Sequence, residues 1–151
     1  MKKIGIIALY FSAFLIVSCS STTNTSSSSN NNSAATQAGT NCGRVLAGLY
    51  TQYKSAGKVD LANSTTLLNV VELCTYCNAL KDHKSDATYK TAFASGLVSG
   101  SNGLITNSNS LSILNSLLSL SGYNITSSTP STSNEAINVA LGLINLFKNL
   151  K

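Results

Sequence analysis

The chain has 151 residues, a formal net charge of +5 and only 10% charged side chains. That length allows one domain with a core of its own. Apart from the adjacent Lys2 and Lys3, the cations Arg44, Lys54, Lys58, Lys81, Lys84, Lys90, Lys148 and Lys151 are scattered without a cluster, so a nucleic acid is not an expected partner.

The first nineteen residues set the context for the rest. Lys2-Lys3 precede the mostly apolar run Ile4–Val17, the charge and length pattern of a secretory signal. A stable transmembrane helix needs roughly 20 apolar residues, so this run is short for a span. It ends in Ile16-Val17-Ser18-Cys19, which resembles the lipobox of bacterial lipoprotein precursors. The resemblance implies that the Cys19 thiol carries a diacylglycerol and that a peptidase cuts between Ser18 and Cys19. It implies acylation of the new amino group as well. The expected partner is therefore the lipid bilayer, held through acylated Cys19, at about 0.8 kcal/mol per buried methylene. In part of that family, acidic residues soon after the cysteine direct export to the surface. None occurs here before Asp60, which implies a protein on the outer membrane facing the periplasm.

The expected organisation is a signal peptide over 1–18, a lipidated and disordered tether over 19–39, and a helical domain over 40–151. Residues 20–33 are all Ser, Thr or Asn, a composition that buries nothing apolar to offset its ordering entropy. Ala34–Gly39 is read as its continuation.

Beyond it the apolar residues recur at helical spacing. Val45, Leu46, Leu49, Tyr53 and Ala56 predict a first helix over 41–56, stopped by Gly57. A second, capped by Asn63 or Ser64, carries Leu67, Val70, Val71, Cys74 and Cys77 on one stripe and runs to about Lys81. Ser85 as cap and Asp86 in the first turn open a third, with the face Tyr89, Phe93, Leu97. Its Gly96 and Gly100, four apart, would allow a close helix approach. The fourth, capped by Asn107 or Ser108, has Leu111, Leu114, Leu117 and Leu118 as its core face and ends at Gly122. The fifth opens on the capping box Thr132-x-x-Glu135.

That last helix has two apolar stripes. Ile137, Ala140, Leu141, Ile144 and Phe147 form one; Val139, Leu143, Leu146 and Leu150 form the other. Either the helix is central in its bundle, or the second stripe meets a protein partner or another copy of the chain. With no period-2 alternation, the expected fold is all-α, a bundle of about five helices on the tether. A match at an offset of 44, Asn63–Leu67 against Asn107–Leu111 with Val70/Leu114, Leu73/Leu117 and Leu49/Phe93, suggests two similar helical hairpins.

Few residues carry recognisable chemistry. Cys74-x-x-Cys77 lies mid-helix rather than at a helix start, where a redox motif gains its low thiol pKa. If the first two helices turn back at 57–63, Cys42 comes level with about residue 78, one residue from Cys77 and four from Cys74. A Cys42–Cys77 disulfide is then expected in an oxidising compartment, with buried free thiols, a redox pair and a zinc site using His83 as the other readings. His83 and the acids Asp60, Glu72, Asp82, Asp86 and Glu135 show no positioned partners. No catalytic residue, metal or cofactor is expected. The expected function is a membrane-anchored, non-enzymatic lipoprotein acting through contacts in the envelope. The alternative is a binding module for a lipid or other small apolar ligand between helices, and a thiol–disulfide oxidoreductase ranks last.

Overall fold

A computed structural model describes residues 27–150. Among them it contains five helices and no strand: α1 Ser27–Ala56, α2 Ser64–Asp82, α3 Ala87–Gly100, α4 Ser110–Ser119 and α5 Asn134–Lys148. The all-α bundle expected from the periodicity is therefore present. Signal residues 1–18, Cys19 and the tether up to residue 26 lie outside the described residues.

The helix starts are set by short polar side chains. Asn63 caps α2, its Oδ1 accepting from Thr65 N and Thr66 N at 3.0 and 3.1 Å. Asp86 caps α3, accepting from Thr88 N and Tyr89 N at 2.9 and 3.0 Å, in the place expected for Ser85. Ser133, not Thr132, caps α5, accepting from Ala136 N at 3.2 Å. The start therefore moves one residue along, and Glu135 stays in the first turn, where its charge suits the helix dipole. α4 has Asn109 at its N-cap with no side-chain cap bond. Asn109 Oδ1 instead accepts from Thr106 N at 2.8 Å and closes the preceding turn.

The largest departure from expectation is α1. It begins at Ser27 rather than 41, so the stretch 27–39 read as tether is helical. Its composition is a poor helix former, and the packing supplies what propensity does not. Ala35, Gly39, Cys42, Gly43, Leu46 and Leu49 are buried along one face. Gly39 and Gly43 lie against the backbone of α3, and Gly96 and Gly100 lie against that of α1. A Cβ on Gly43 would stand 2.5 Å from the Leu97 carbonyl oxygen, and one on Gly39 would strike the Phe93 carbonyl. One on Gly96 would strike the Thr36 carbonyl, and one on Gly100 the Thr40 carbonyl. As the numbers on α1 rise, so do those on α3, so the two helices run parallel. Without side chains between them, each glycine Cα–H faces a carbonyl oxygen, a contact that recurs at close helix pairs.

α2 returns antiparallel to α1. Thr66 Oγ1 donates to Gln52 Oε1 at 3.1 Å and fixes the level of the pair. The 101–109 loop is held by buried Ser101, whose hydroxyl donates to Val98 O at 2.9 Å and accepts from Ile105 N at 3.0 Å. It turns through Asn102 and Gly103, both at positive φ. Asn78 on α2 accepts from Gly122 N at 2.8 Å and ties down the loop after α4. α5 reaches α1 through Phe147, whose ring sits 5.6 Å from Tyr50 and 5.4 Å from Tyr53.

The 44-residue offset recurs in the burial. Leu49 and Phe93, Leu61 and Ile105, Thr66 and Ser110, Val70 and Leu114, and Leu73 and Leu117 are all buried. The caps do not follow it, since Asn63 caps α2 while Asn107 does not cap α4. Leu111, expected in the core, is 67% exposed, and Ile113 takes its place in the interior.

The glycine contact generates a contrast. Gly48, also inside α1, has nothing within 4 Å of where a Cβ would be. Gly48→Ala should stabilise the domain by up to about 1 kcal/mol through helix propensity. Gly100→Ala gains the same propensity but must push two backbones apart, and should destabilise by about 1–3 kcal/mol net. Thermal melts by circular dichroism should move in opposite directions, and equal upward shifts would refute the close contact.

Candidate functional site

The lipidation and cleavage residues Cys19 and Ser18 lie outside the described residues. Inside them, the groups with chemical potential are the three other cysteines. Cys42 projects from α1, Cys74 and Cys77 from α2, and all three are buried in the layer between these helices. Each is a free thiol in this structure, so the expected Cys42–Cys77 bond is not formed here. The register lies near the expected one but is shifted: the Thr66–Gln52 hydrogen bond sets Cys42 level with residue 76, where the sequence placed it level with about 78.

Burial dominates the electrostatics of the thiols. It pushes Cys74 up to about 11 and holds Cys42 well above the ordinary thiol range, with the Glu72 carboxylate adding to Cys42's shift. Cys77 is raised by burial first and then by its two sulfur neighbours, Cys42 and Cys74. The thiolate is the nucleophile and the metal ligand, so thiols held protonated in an apolar layer are poor at either task. Cys74 is also mid-helix in Ser64–Asp82, away from the N-terminal dipole that a redox CxxC uses.

Beside the thiols, the Tyr76 hydroxyl donates to Glu72 Oε1 at 2.8 Å. Burial and that carboxylate raise the Tyr76 hydroxyl to about 12. His83, the other zinc candidate, is exposed at the C-cap of α2 and stacks on Tyr89 with ring centroids 4.0 Å apart. Among the described residues no group of three His, Cys, Asp or Glu side chains is placed to hold a metal ion.

The surface of α5 corrects the stripe reading. Val139, Leu143, Leu146 and Leu150, expected as the partner stripe, are all buried in the core together with Ala136 and Phe147. Ile137 and Leu141, expected inside, are 45% and 54% exposed, and Ile144 is half-buried. The buried set repeats at spacings of three and four over the whole helix, while the outer one ends at half-buried Ile144. The Tyr50–Tyr53–Phe147 cluster and Leu120 of α4, which packs where a Gly142 side chain would go, fix which side turns in. α5 is thus a flanking helix, and α1 takes the central place expected for it.

Ile137 and Leu141 border a solvent-open groove of about 270 Å³. Val59, Leu61 and Ala62 of the α1–α2 loop form its other wall, with Asp60 and Ser131 at its edges. A second open cleft, about 420 Å³, is lined by polar residues, Thr51, Gln52, Ser55, Lys58, Asp60 and Thr66 among others. Asp60 there pairs with Lys58 at 2.9 Å and accepts from Ala62 N, and these bonds lower its carboxyl pKa. No described helix is long and apolar enough to cross a membrane.

No family model matches the chain, and no curated protein or solved structure is similar to it at a significant level.

Two predictions follow from the site. Leu143→Asp buries an unpaired carboxylate and should unfold the domain, whereas Leu141→Asp should leave its melting temperature within a few degrees of the parent. Equal losses in denaturant unfolding would show that both stripes are interior. The second prediction concerns pH. For a thiol whose folded pKa is raised, the stabilising preference for the protonated form is complete below pH 9 and is lost as pH rises through 9 to 11. The reduced protein should therefore lose stability over that interval, and Cys74→Ala should lose less. Unchanged denaturation midpoints from pH 8 to 11 would refute it.

Proposed function

We propose that the chain is the precursor of a bacterial lipoprotein, anchored to the outer membrane through Cys19, whose helical domain acts by surface contact in the periplasm and not by catalysis. The observation that carries this reading is Ile16-Val17-Ser18-Cys19 closing a lysine-led apolar run. The state of the thiols supports contact over chemistry, because the strongest nucleophiles of the domain are buried and held protonated. The open form of the grooves beside α5 and at the α1–α2 turn supports contact over the enclosed apolar pocket that a lipid-carrying module would need. In the mature protein, residues 20–26 separate the anchor from α1 and span at most about 29 Å from Cys19 to Ser27. The domain would then work close to the bilayer surface.

Labelled palmitate should enter the wild-type protein, and Cys19→Ser should give an unlabelled product that is uncleaved or cut elsewhere. Equal label in the variant would overturn the assignment.

A further inference from the structure

α1 and α2 are locked in register by the Thr66–Gln52 hydrogen bond of 3.1 Å. Ten residues back from Gln52 stands Cys42, and eleven on from Thr66 stands Cys77. At 1.5 Å of rise per residue their levels differ by about 1.5 Å. Cys74, eight residues on from Thr66, lies about 3 Å from the level of Cys42 along the axis, twice as far as Cys77. Cys42 and Cys77 are both fully buried. Each is close enough to the other helix to be felt there, since Cys42 raises the pKa of both Tyr76 and Cys77.

We infer that Cys42 and Cys77 are an oxidisable pair that closes the α1–α2 hairpin as a disulfide in the exported protein, leaving Cys74 as a buried thiol. The setting, though not the geometry, rests on the lipoprotein reading. In the reaction two S–H bonds break and one S–S bond forms. Two electrons and, through the solvent, two protons pass by thiol–disulfide exchange to an external protein disulfide, whose S–S bond breaks to give a dithiol. Both sulfurs are buried and protonated once the helices have closed, so the exchange takes place while the hairpin is still open. The finished bond is then shielded from reductants by the same packing.

The test counts thiols on lipoprotein extracted from membranes, denatured without reductant and treated with a polyethylene-glycol maleimide. The Cys19 sulfur carries the lipid and does not react. One addition is expected for wild type and three after reduction. Cys74→Ser should give none, while Cys42→Ser and Cys77→Ser should give two each. Three additions to unreduced wild type would overturn the pairing. So would none for Cys42→Ser, which means a Cys74–Cys77 bond, or none for Cys77→Ser, which means Cys42–Cys74. Peptide mapping of the unreduced wild type needs no substitution: the segment ending at Arg44 should be linked to peptide 59–81, with fragmentation between Cys74 and Cys77 placing the bond at Cys77. Palmitate label on the same samples separates the two ideas. A chain without label refutes the lipoprotein reading, and the pairing is then scored on that chain refolded in a glutathione buffer, with one extra addition from Cys19. There too the Cys42–Cys77 link is expected, and its absence refutes the pair.

Discussion

The backbone contact between α1 and α3 is the constraint on which the rest of the domain depends. Four glycines, two on each helix, remove the side chains that would hold the axes apart, and the Thr36, Thr40, Phe93 and Leu97 carbonyls occupy that space. Packing of this kind tolerates no added atom on either side, because the neighbour is main chain and cannot rotate away. It explains why a segment as rich in Ser and Asn as 27–40 is helical. The helix there does not form from propensity; it is the surface that α3 needs to cover Phe93, Leu97 and Tyr89. α1 is long because it serves two partners in sequence. Its N-terminal half meets α3, and its C-terminal half meets α2 and, through Tyr50 and Tyr53, Phe147 of α5.

How much of this could be read from the sequence depended on whether the signal was local. The start of α2 was legible because Asn63 caps it within three residues of itself, and that of α3 to within one residue, Asp86 capping instead of Ser85. The hairpin register was legible to within about two residues, because a short turn between two helices leaves little freedom of slide. The N-terminal half of α1 was not legible, because its composition matches that of a disordered chain. The signal that does exist there is non-local: Ala35, Gly39 and Gly43 recur every four residues and make sense only beside Gly96 and Gly100. Gly96 and Gly100 alone indicated a close approach but not its partner.

The two stripes of α5 show the same limit in another form. Ile137–Leu141 and Val139–Leu143 are equally apolar and differ in position by two residues, so hydropathy does not choose between them. The choice was made by Leu120 and the Tyr50–Tyr53 pair, residues that are 17 or more positions away from either stripe in sequence. Of the two readings left open for Val139, Leu143, Leu146 and Leu150, burial selects the core. The apolar residues that remain outside, Ile137 and Leu141, border a groove whose far wall is the α1–α2 loop.

That loop links the groove to the thiols. Val59, Leu61 and Ala62 are placed by the turn of the α1–α2 hairpin, and the turn is placed by the two helices that carry Cys42 and Cys77. Among the described residues one side-chain hydrogen bond, Thr66 to Gln52, sets the register beside the turn, and van der Waals contact does the rest. A covalent link at the level of residues 42 and 77 lies about 15 Å from that bond along the helices. Two restraints that far apart fix the relative slide and tilt of the helices, where one leaves both free to vary. The exposed wall of the groove would then be positioned by a bond buried at the opposite end of the hairpin. The surface-contact role proposed above would call for such stiffness, because a shallow groove does not order its partner and must present its surface already formed.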